Sequence, residues 1–469
     1  MGKYYLAVDI GASSGRHILG HLENGKIELE EIYRFENGMD HKDGKLLWNL
    51  DRLFGEIVTG MRKCKELGKI PVSMAIDTWA VDYVLLDAQD RILGETYGYR
   101  DHRTDGMDAE TAKILQETEL YAKTGIQKQI FNTIYQLMAV KQKEPEFLQR
   151  AKTLLMLPDY FGFRLTGNKL SEYTNGSTTQ LVNPNTFQWD TDLIRKLGYP
   201  EDIFLPLKMP GTKVGQLLPE IQKEVGFNLE VVLCGSHDTA SAVMAVPQTE
   251  GDGIYISSGT WSLMGIESLK PIINKDAAAA NFSNEGGYDH RFRFLKNIMG
   301  LWMIQSVRHE YNDAYSFAQL CEMAEDSRDF PSRVDVNDPS FLSPDSMVEA
   351  IKQYCQKTGQ PVPESVGELA SVVYRSLAQS YGETVSGLEK IAGRTYDGIH
   401  IIGGGSNAAY LNQLTADATG KTVYAGPGEA TAIGNLLAQM IHAGDLADLK
   451  GARQYVRDSF EIKTYVPAD

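Results

Sequence analysis

The chain has 469 residues, 42% of them hydrophobic, and carries a formal net charge of −16. A single hydrophobic core stops growing near about 250–300 residues, so this length favours two domains or more. The acidic surface repels nucleic acid and anionic lipid, and no apolar run approaches the roughly 18 residues that span a bilayer, so we expect neither a nucleic-acid nor a membrane partner.

Hydrophobic periodicity predicts a succession of strands and helices in the first half of the chain. Alternating or short apolar runs predict strands at residues 4–10, 16–22, 26–35, 73–77, 83–87 and 230–234. Apolar residues three and four positions apart predict helices at residues 51–67, 239–246 and most of 110–164, with interruptions at Pro145 and Pro158.

The second half repeats this order. Its predicted strands are residues 253–257, 262–267, 400–402 and 422–425, and its predicted helices are residues 364–392, 408–418 and 429–441. Each half opens with a strand, a Gly/Ser turn and a second strand. We therefore predict two α/β domains, residues 1–245 and 246–469, on either side of a deep cleft. The boundary is expected near residues 245–252, where Pro247 and Gly251 interrupt regular structure.

Two turns of small residues have the composition of phosphate-binding loops. They are Asp9–Arg16 and Ser257–Ser262, one in each half. Glycines and small side chains let backbone N–H groups approach an anion, and Asp9, at a strand end, has the chemistry to hold Mg²⁺ through water. Neither turn is a Walker A loop, because no Gly-Lys-Ser/Thr follows it. For each turn, an ordinary hairpin is the alternative.

Asp238 lies in the run Gly235–Thr239, directly before a predicted helix. A carboxylate at a helix N-terminus stays ionised, which suits a base that accepts a proton from a sugar hydroxyl. Capping of the helix is the structural alternative, and it is compatible with catalysis. His237 is a candidate substrate contact and a less favoured base.

Two further runs have the composition of ligand sites. Trp79 lies near Asp77 at the end of an apolar strand, which is typical of a sugar platform, although a core tryptophan is the alternative. Gly403–Gly405 lies between a buried strand and a helix, where bare backbone admits a ligand, and this position favours adenosine.

Longer runs resemble the FGGY family of carbohydrate kinases, which belongs to the actin-like ATPase superfamily. The runs that carry the resemblance are residues 8–16, 77–79, 236–242, 257–265, 284–287 and 295–302. The likeness extends over essentially the whole chain and is greatest to the members that phosphorylate L-rhamnulose at its 1-hydroxyl. It implies two actin-like (ribonuclease H-like) ATPase domains, ATP as co-substrate and Mg²⁺.

The resemblance also implies roles for residues at matching motif positions. Asp238 would be the proton acceptor. The sugar contacts would include Ala80, His237, Thr239 and Asn297 beside Asp77 and Trp79, and the ATP contacts would be Ala12, Ser13, Ser14, Gly15, Arg16, Thr260, Gln305 and Gly404. Ala80 is a departure, because those members have Gly there. A contact made by the backbone survives the added methyl, whereas a sugar packed on a bare Cα would bind differently.

Two rival functions stay open. One is another ketose or polyol kinase of the same family, such as an L-fuculokinase or a xylulokinase, and the other is an actin-like ATPase without sugar kinase activity. Four cysteines without metal-binding spacing and the lack of a signal-peptide cleavage pattern predict a cytoplasmic protein. Both a monomer and a homodimer are compatible with the sequence.

Overall fold

The computed structural model describes residues 2–248 and 253–468. The chain forms two compact units: the first unit comprises Met1–Ala245, Glu267–Phe294 and Thr431–Ser459, and the second unit comprises Val246–Ile266, Leu295–Ala430 and Phe460–Asp469. The units are therefore not two consecutive stretches of chain. Of the predicted boundary, residues 249–252, which include Gly251, lie outside the described residues.

The first 245 residues contain strands β1–β14 and helices α1–α10. The strands are β1 Tyr4–Ile10, β2 Ser14–Glu23, β3 Lys26–Glu36, β4 Asp40–Lys42, β5 Lys45–Leu47, β6 Pro71–Thr78, β7 Tyr83–Leu86, β8 Thr153–Met156, β9 Ser171–Glu172, β10 Val182–Asn183, β11 Gln188–Trp189, β12 Leu207–Lys208, β13 Lys213–Gln216 and β14 Glu230–Val232. The helices are α1 Leu50–Glu66, α2 Met107–Ala112, α3 Glu117–Thr124, α4 Thr133–Lys143, α5 Pro145–Arg150, α6 Leu157–Thr166, α7 Tyr173–Ser177, α8 Thr191–Leu197, α9 Pro219–Val225 and α10 Asp238–Met244.

The described residues from 253 onward contain strands β15–β21 and helices α11–α18. The strands are β15 Ile254–Ser258, β16 Trp261–Ser268, β17 Ser283–Gly286, β18 Phe292–Met299, β19 Gly398–Ile402, β20 Thr422–Ala425 and β21 Lys463–Tyr465. The helices are α11 Lys275–Ala279, α12 Trp302–Glu310, α13 Phe317–Asp326, α14 Met347–Lys357, α15 Val366–Ala392, α16 Ala409–Thr419, α17 Ala430–His442 and α18 Leu449–Ser459.

The main sheet of the first unit has the strand order β13-β14-β6-β1-β2-β3. Strands β1, β2 and β3 are antiparallel neighbours, whereas β1 pairs in parallel with β6, and β6 with β14. The carboxyl ends of β1, β6 and β14 consequently lie at the same edge. Residues that follow these three strands are brought together there, whatever their separation in sequence.

A second sheet repeats this arrangement in the strand order β17-β18-β16-β15-β19-β20-β21. Strand β15 is antiparallel to β16 and parallel to β19, and β19 is parallel to β20. Each sheet thus has a hairpin followed by two parallel strands on the same side. This duplication confirms the repeat read from the sequence, and helices pack against both sheets as in other α/β folds.

The sequence accounts for most of these elements. Helix α1 presents Leu53, Ile57 and Met61, all fully buried, to the first sheet, and the Asn49 side chain caps it by accepting the Arg52 N–H at 3.1 Å. Full burial of one such side chain contributes about 1.5–3 kcal/mol. The predicted strands at residues 4–10 and 422–425 are observed as β1 and β20 without a shift.

One predicted segment differs in type, and several elements, among them β9–β13, β17, β18 and α11–α14, were not predicted. Residues 110–164 were expected to be mostly helical, but β8 lies inside them and pairs with β7. The apolar run of β8 is too short to be told from a buried helical turn by periodicity. The predicted interruptions at the two prolines are observed as helix starts. Helix α4 ends at Lys143, and Pro145 and Pro158 lie in the first turns of α5 and α6, where a missing N–H costs nothing.

Membrane-spanning helices and cysteines are two features that the composition had already addressed. No helix within residues 2–248 and 253–468 combines the length and the apolar character required to cross a bilayer. All four cysteines are buried free thiols.

Candidate active site

Three carboxylates meet at the carboxyl edge of the first sheet. Asp9 on β1 lies opposite Asp77 on β6 in the parallel register. The segment after β14 joins them, because Thr78 N–H donates to Ser236 O at 2.9 Å. Asp238 follows as the first residue of α10. The fold therefore gathers acidic residues that are far apart in sequence.

The environment of this edge disfavours the charged form of Asp77. Burial and then the charge of Asp9 raise the pKa of Asp77 well above its ordinary value, Asn435 opposes the rise with a 2.6 Å hydrogen bond to Oδ2, and Asp238 adds to it. Asp77 Oδ1 has no hydrogen-bond partner among the described residues. Such an edge favours a ligand that brings positive charge or hydrogen-bond donors.

Asp238 combines a fixed orientation with access to solvent. Its Oδ1 accepts the Thr239 N–H at 2.6 Å and the Thr239 hydroxyl at 3.1 Å, and its side chain is 34% exposed. Burial raises the pKa of Asp238, His237 and Thr239 counteract this, and Asp9 adds to the rise. A carboxylate with a raised pKa and an accessible oxygen is suited to general-base catalysis.

The helix cap expected at Asp238 lies one residue earlier, at His237. Helix α10 starts at Asp238, and His237 occupies the cap position without a side-chain capping bond. The Asp238 carboxylate instead accepts from the next residue, Thr239. Its first-turn position still places a negative charge at the positive end of the helix dipole.

His237 lies between two acidic groups. Its Nε2 is 3.4 Å from Asp238 Oδ1, and its Nδ1 is 3.3 Å from Glu285 Oε2. The Nδ1 atom also lies 3.1 Å from Nη2 of Arg293, which is fully buried. Burial alone would raise the pKa of Glu285, but Arg293 and His237 together lower it below its ordinary value.

Trp79 belongs to a buried polar network. Its indole N–H donates to Asp82 Oδ2 at 2.9 Å, and the Trp48 indole N–H donates to the same oxygen at 2.6 Å. The two indole rings lie 4.0 Å apart between centroids. Trp79 itself is only 7% exposed. Its ring is therefore held rigidly, and Trp48 already covers part of it.

The loop that carries Trp79 is strained. Val81 has a φ of +67°, a left-handed conformation that is rare for a β-branched residue. The Thr133 hydroxyl holds it by donating to Val81 O at 2.7 Å. The neighbouring Ala80 is half-buried, and its carbonyl accepts the Asp82 N–H at 2.9 Å. Strain of this kind persists where the surroundings fix a functional loop.

The first Gly/Ser turn connects β1 and β2. Ser13 is exposed, whereas Ala12 and Ser14 are partly exposed, and Gly11 N–H donates to Ser14 O at 2.8 Å. A Cβ on Gly15 would lie 2.1 Å from the Phe35 ring, so packing requires glycine there. Arg16 Nη2 donates to Asp9 Oδ2 at 2.6 Å, which places a cation beside the turn.

The second unit has the corresponding turn between β15 and β16. Helix α12 starts against it, since Trp302 N–H donates to Thr260 O at 3.1 Å. A Cβ on Gly300 would lie 2.5 Å from the Trp261 backbone, which shows how closely the two segments approach. Gln305 is on the first turns of α12, and Asn297 is on β18, both partly buried.

The triple glycine follows β19 beside the end of β15. Gly403 has a φ of +81°, and a Cβ on Gly405 would lie 1.9 Å from Ser258 Oγ, so both positions need glycine. Gly404 differs, because it is exposed and a Cβ added there would have no atom within 4 Å. Its backbone faces open space at the carboxyl edge of the second sheet, where nucleotides bind in α/β folds.

The acidic edge of the first sheet fits a magnesium ion bound through water. Among residues 2–248 and 253–468, no group of three or more His, Cys, Asp and Glu side chains is placed to bind a metal directly. Mg²⁺ usually keeps several waters and takes one or two carboxylates with substrate phosphates. Asp9, beside the Gly/Ser turn and opposite Asp77, has the chemistry of such an outer ligand.

Two domain models of one protein family match nearly the whole chain. The N-terminal domain of the FGGY family of carbohydrate kinases matches residues 4–245, and the C-terminal domain matches residues 254–443. The chain belongs to the FGGY family of carbohydrate kinases. This membership confirms the resemblance read from the sequence, and with it the predicted fold of two actin-like ATPase domains.

Curated relatives of this FGGY protein match it over their full length. A rhamnulokinase from Halalkalibacterium halodurans is 54% identical over 467 residues, covering 100% of this chain and 99% of that protein. A rhamnulokinase from Oceanobacillus iheyensis is 50% identical over 465 residues, covering 99% of this chain and 98% of that protein.

Solved structures agree on the fold. A ligand-bound xylulose kinase from Lactobacillus acidophilus has a TM-score of 0.79 at 17% identity and covers 99% of this chain and 94% of its own. A Plasmodium falciparum glycerol kinase with ADP has a TM-score of 0.77 at 14% identity and covers 98% and 94% respectively. At these identities the likeness concerns the fold alone.

The structure adds residues to the site that sequence reasoning missed. Glu172 is fully buried, and its Oε2 accepts the Ser236 hydroxyl at 2.5 Å and the Ser236 N–H at 3.2 Å, so it holds the loop before Asp238. Arg293 and the acceptor role of Asp82 were missed as well. A charged residue inside an apolar strand, as Arg293 is on β18, is the signal that was available.

Proposed function

We propose that this chain transfers the γ-phosphoryl group of ATP to the 1-hydroxyl of L-rhamnulose, giving ADP and L-rhamnulose 1-phosphate. The observation that carries the proposal is the full-length identity of 54% to a protein named rhamnulokinase. The carboxylate at Asp238, oriented by Thr239 and partly exposed, supplies the group that such a transfer requires.

In this proposal Asp238 accepts the proton of the 1-hydroxyl. The hydroxyl oxygen forms a bond to the γ-phosphorus while the bond from that phosphorus to the β,γ-bridging oxygen breaks, and ADP leaves. The raised pKa of Asp238 brings the base closer to the working pH, where proton transfer is most effective. Mg²⁺, held by Asp9 through water, would supply positive charge to the transferring phosphoryl oxygens.

The sugar is assigned to residues at or near the ends of β6, β14 and β18. The proposed contacts are Asp77, Trp79, Ala80, His237, Thr239 and Asn297. The hydrogen bond from the Trp79 indole to Asp82 fixes the ring, so binding a sugar C–H face to its exposed part costs little side-chain entropy.

ATP is assigned to both Gly/Ser turns and to the triple glycine. The proposed contacts are Ala12, Ser13, Ser14, Gly15, Arg16, Thr260, Gln305 and Gly404. Arg16 would exchange its bond with Asp9 for a phosphate oxygen. The open backbone at Gly404 would face the adenosine. Residues 1–245 would act as the sugar domain and residues 246–469 as the adenosine domain, in a cytoplasmic protein.

A sugar panel tests the substrate. ADP release is measured by a coupled assay with L-rhamnulose, L-fuculose, D-xylulose and no sugar, and the product is located by ³¹P and ¹³C NMR. We expect ADP release that requires L-rhamnulose and phosphorus on its C1 oxygen. A preference for another ketose would show that the chain is a kinase of the same family with a different substrate. Equal hydrolysis with and without sugar would refute sugar kinase activity.

The Asp238→Asn variant tests the base. We expect kcat to fall by at least about 10²-fold, the low end of general-base effects, because an amide cannot accept the proton. Asp190→Asn is the matched control, since Asp190 is a buried aspartate that caps α8 through the Leu193 N–H at 2.9 Å, and asparagine caps equally well. A smaller loss at Asp238 than this, with the control unchanged, would remove it from the base role.

A further inference from the structure

Arg293 is a fully buried cation next to His237. Its Nη2 lies 3.1 Å from His237 Nδ1 and 3.1 Å from Glu285 Oε2, and its Nε donates to Gly286 O at 2.8 Å. All of these residues belong to the first unit. The guanidinium thus links the strand pair β17–β18 to the residue that precedes Asp238.

Stability alone does not explain this arginine. Its Nη1 has no hydrogen-bond partner among the described residues, although the side chain is 0% exposed. A buried donor without a partner is destabilising, and buried ion pairs are often no more stabilising than apolar side chains of similar volume. The ion pair with Glu285 therefore does not by itself account for the burial of this arginine.

The arrangement determines which nitrogen of His237 carries the proton. An arginine N–H can only donate, so Nδ1 must be the acceptor in the 3.1 Å contact with Nη2. Glu285 Oε2 lies 3.1 Å from the same Nη2 as an ion-pair partner, without a hydrogen bond among the described residues. With Nδ1 as acceptor, the proton lies on Nε2, which is 3.4 Å from Asp238 Oδ1.

This tautomer has a consequence for Asp238. Its Oδ1 already accepts the N–H and the hydroxyl of Thr239, and His237 Nε2 lies 3.4 Å from the same oxygen. The hydrogen bonds that described residues donate to this carboxylate therefore converge on Oδ1. The other oxygen, Oδ2, is left for a substrate hydroxyl.

We propose that Arg293, oriented by Glu285, is a positioning residue that fixes the Nε2–H tautomer of His237 and thereby holds Asp238 with Oδ2 directed to the sugar. This inference rests on the proposed function for the role of Asp238, but the tautomer itself does not depend on it. The residue acts through His237 and touches neither the sugar nor ATP in the proposal.

The tautomer is measured directly by long-range ¹H–¹⁵N NMR of the histidine rings in the full chain. The His237 signals are identified by their loss in His237→Gln. We expect a pyridine-type Nδ1 and a pyrrole-type Nε2 in the unmodified protein, and a mixed or reversed pattern in Arg293→Met. Arg293→Lys, which keeps a donor, is expected to restore the original pattern in part.

Kinetics supply the second readout. We expect kcat with L-rhamnulose to fall about 10–100-fold in Arg293→Met, part of a general-base effect, while KM for ATP changes by less than about 3-fold. Arg453→Lys is the matched control. Arg453 is a buried arginine on α18 that pairs with Glu267 and donates to Val243 O, near the C-terminal end of α10, at 2.8 Å. It is expected to lower the melting temperature without changing the tautomer or kcat.

The outcomes separate the two proposals. A proton on Nδ1 in the unmodified protein, or an unchanged tautomer in Arg293→Met, would overturn this inference while sugar kinase activity stands. The expected tautomer in a protein without sugar-dependent ADP release would leave the positioning pair intact and remove the proposed function. If Arg293→Met fails to fold, the His237 tautomer and kcat are measured in Glu285→Gln, which removes the charged partner of the guanidinium. The same changes are expected, and an unchanged tautomer would overturn the inference.

Discussion

Asp82 is buried at 2% exposure and accepts four hydrogen bonds, which makes its ionisation a measurable part of the stability of the first unit. Oδ2 accepts the two indole N–H groups and the Tyr99 N–H at 3.1 Å, and Oδ1 accepts the Gln136 amide at 3.0 Å. Burial raises the pKa of Asp82 from 3.8 to about 6, although these donors act in the opposite direction. The charged carboxylate is therefore the costlier form in the folded state.

The change is Asp82→Asn, which keeps the shape and removes the ionisation. A group whose folded pKa is raised stabilises the protein below its unfolded pKa, and this contribution is lost as the pH rises through the folded pKa. One pKa unit corresponds to about 1.36 kcal/mol, so a rise from 3.8 to about 6 corresponds to about 3 kcal/mol. About 2 kcal/mol of this falls between roughly pH 4.5 and 7.

The measurement is urea unfolding followed by tryptophan fluorescence across this pH range. The free energy of unfolding of the unmodified protein minus that of Asp82→Asn is expected to decrease by about 2 kcal/mol from roughly pH 4.5 to 7. A difference that is flat, or that increases with pH, would show that Asp82 is not the desolvated carboxylate described above.

Asp87→Asn is the matched control with the opposite sign. Hydrogen bonds from the Arg91 backbone and side chain, together with the Gln89 N–H, hold the pKa of Asp87 below its ordinary value in spite of its burial. Its contribution is present above the unfolded pKa and is lost as the pH falls. The corresponding difference in unfolding free energy is therefore expected to increase with pH, whereas that of Asp82 decreases.

Further predictions concern His17 and the glycines after β19. Burial lowers the pKa of His17 to about 4. Relative to the His17→Phe variant, the unmodified protein is therefore expected to lose about 3 kcal/mol of unfolding free energy as the pH falls from about 6.5 to 4. A difference in unfolding free energy that stays constant in urea titrations would contradict this. Gly405→Ala is expected to lower the melting temperature because of the 1.9 Å approach to Ser258 Oγ, with partial recovery in the double variant with Ser258→Gly. Gly404→Ala is expected to melt normally and to raise KM for ATP, and an unchanged KM would remove Gly404 from the nucleotide site.

Local chemistry was sufficient for a large part of the fold. The alternation at β1, the helical spacing at α1 and α15, and the Gly/Ser turns are properties of short segments, and the sequence predicted each of them. The repeated order of strand, turn and strand also predicted two α/β domains, and the family match confirms them. The candidate residues Asp9, Asp77 and Asp238 could be named because the first two lie at the ends of apolar strands and the third follows one.

The sequence by itself determined the chemical inventory: an acidic chain without membrane-spanning runs, with two phosphate-type turns, a triple glycine and an aspartate before a helix. Only the tertiary structure decided which of these groups share an edge, because parallel pairing of β1 with β6 depends on contacts between distant segments. It also decided that Arg293 lies against His237 and that Asp82 ties two indoles together. Desolvation and charge coupling act through space, so the pKa of a carboxylate is fixed only when the chain has folded.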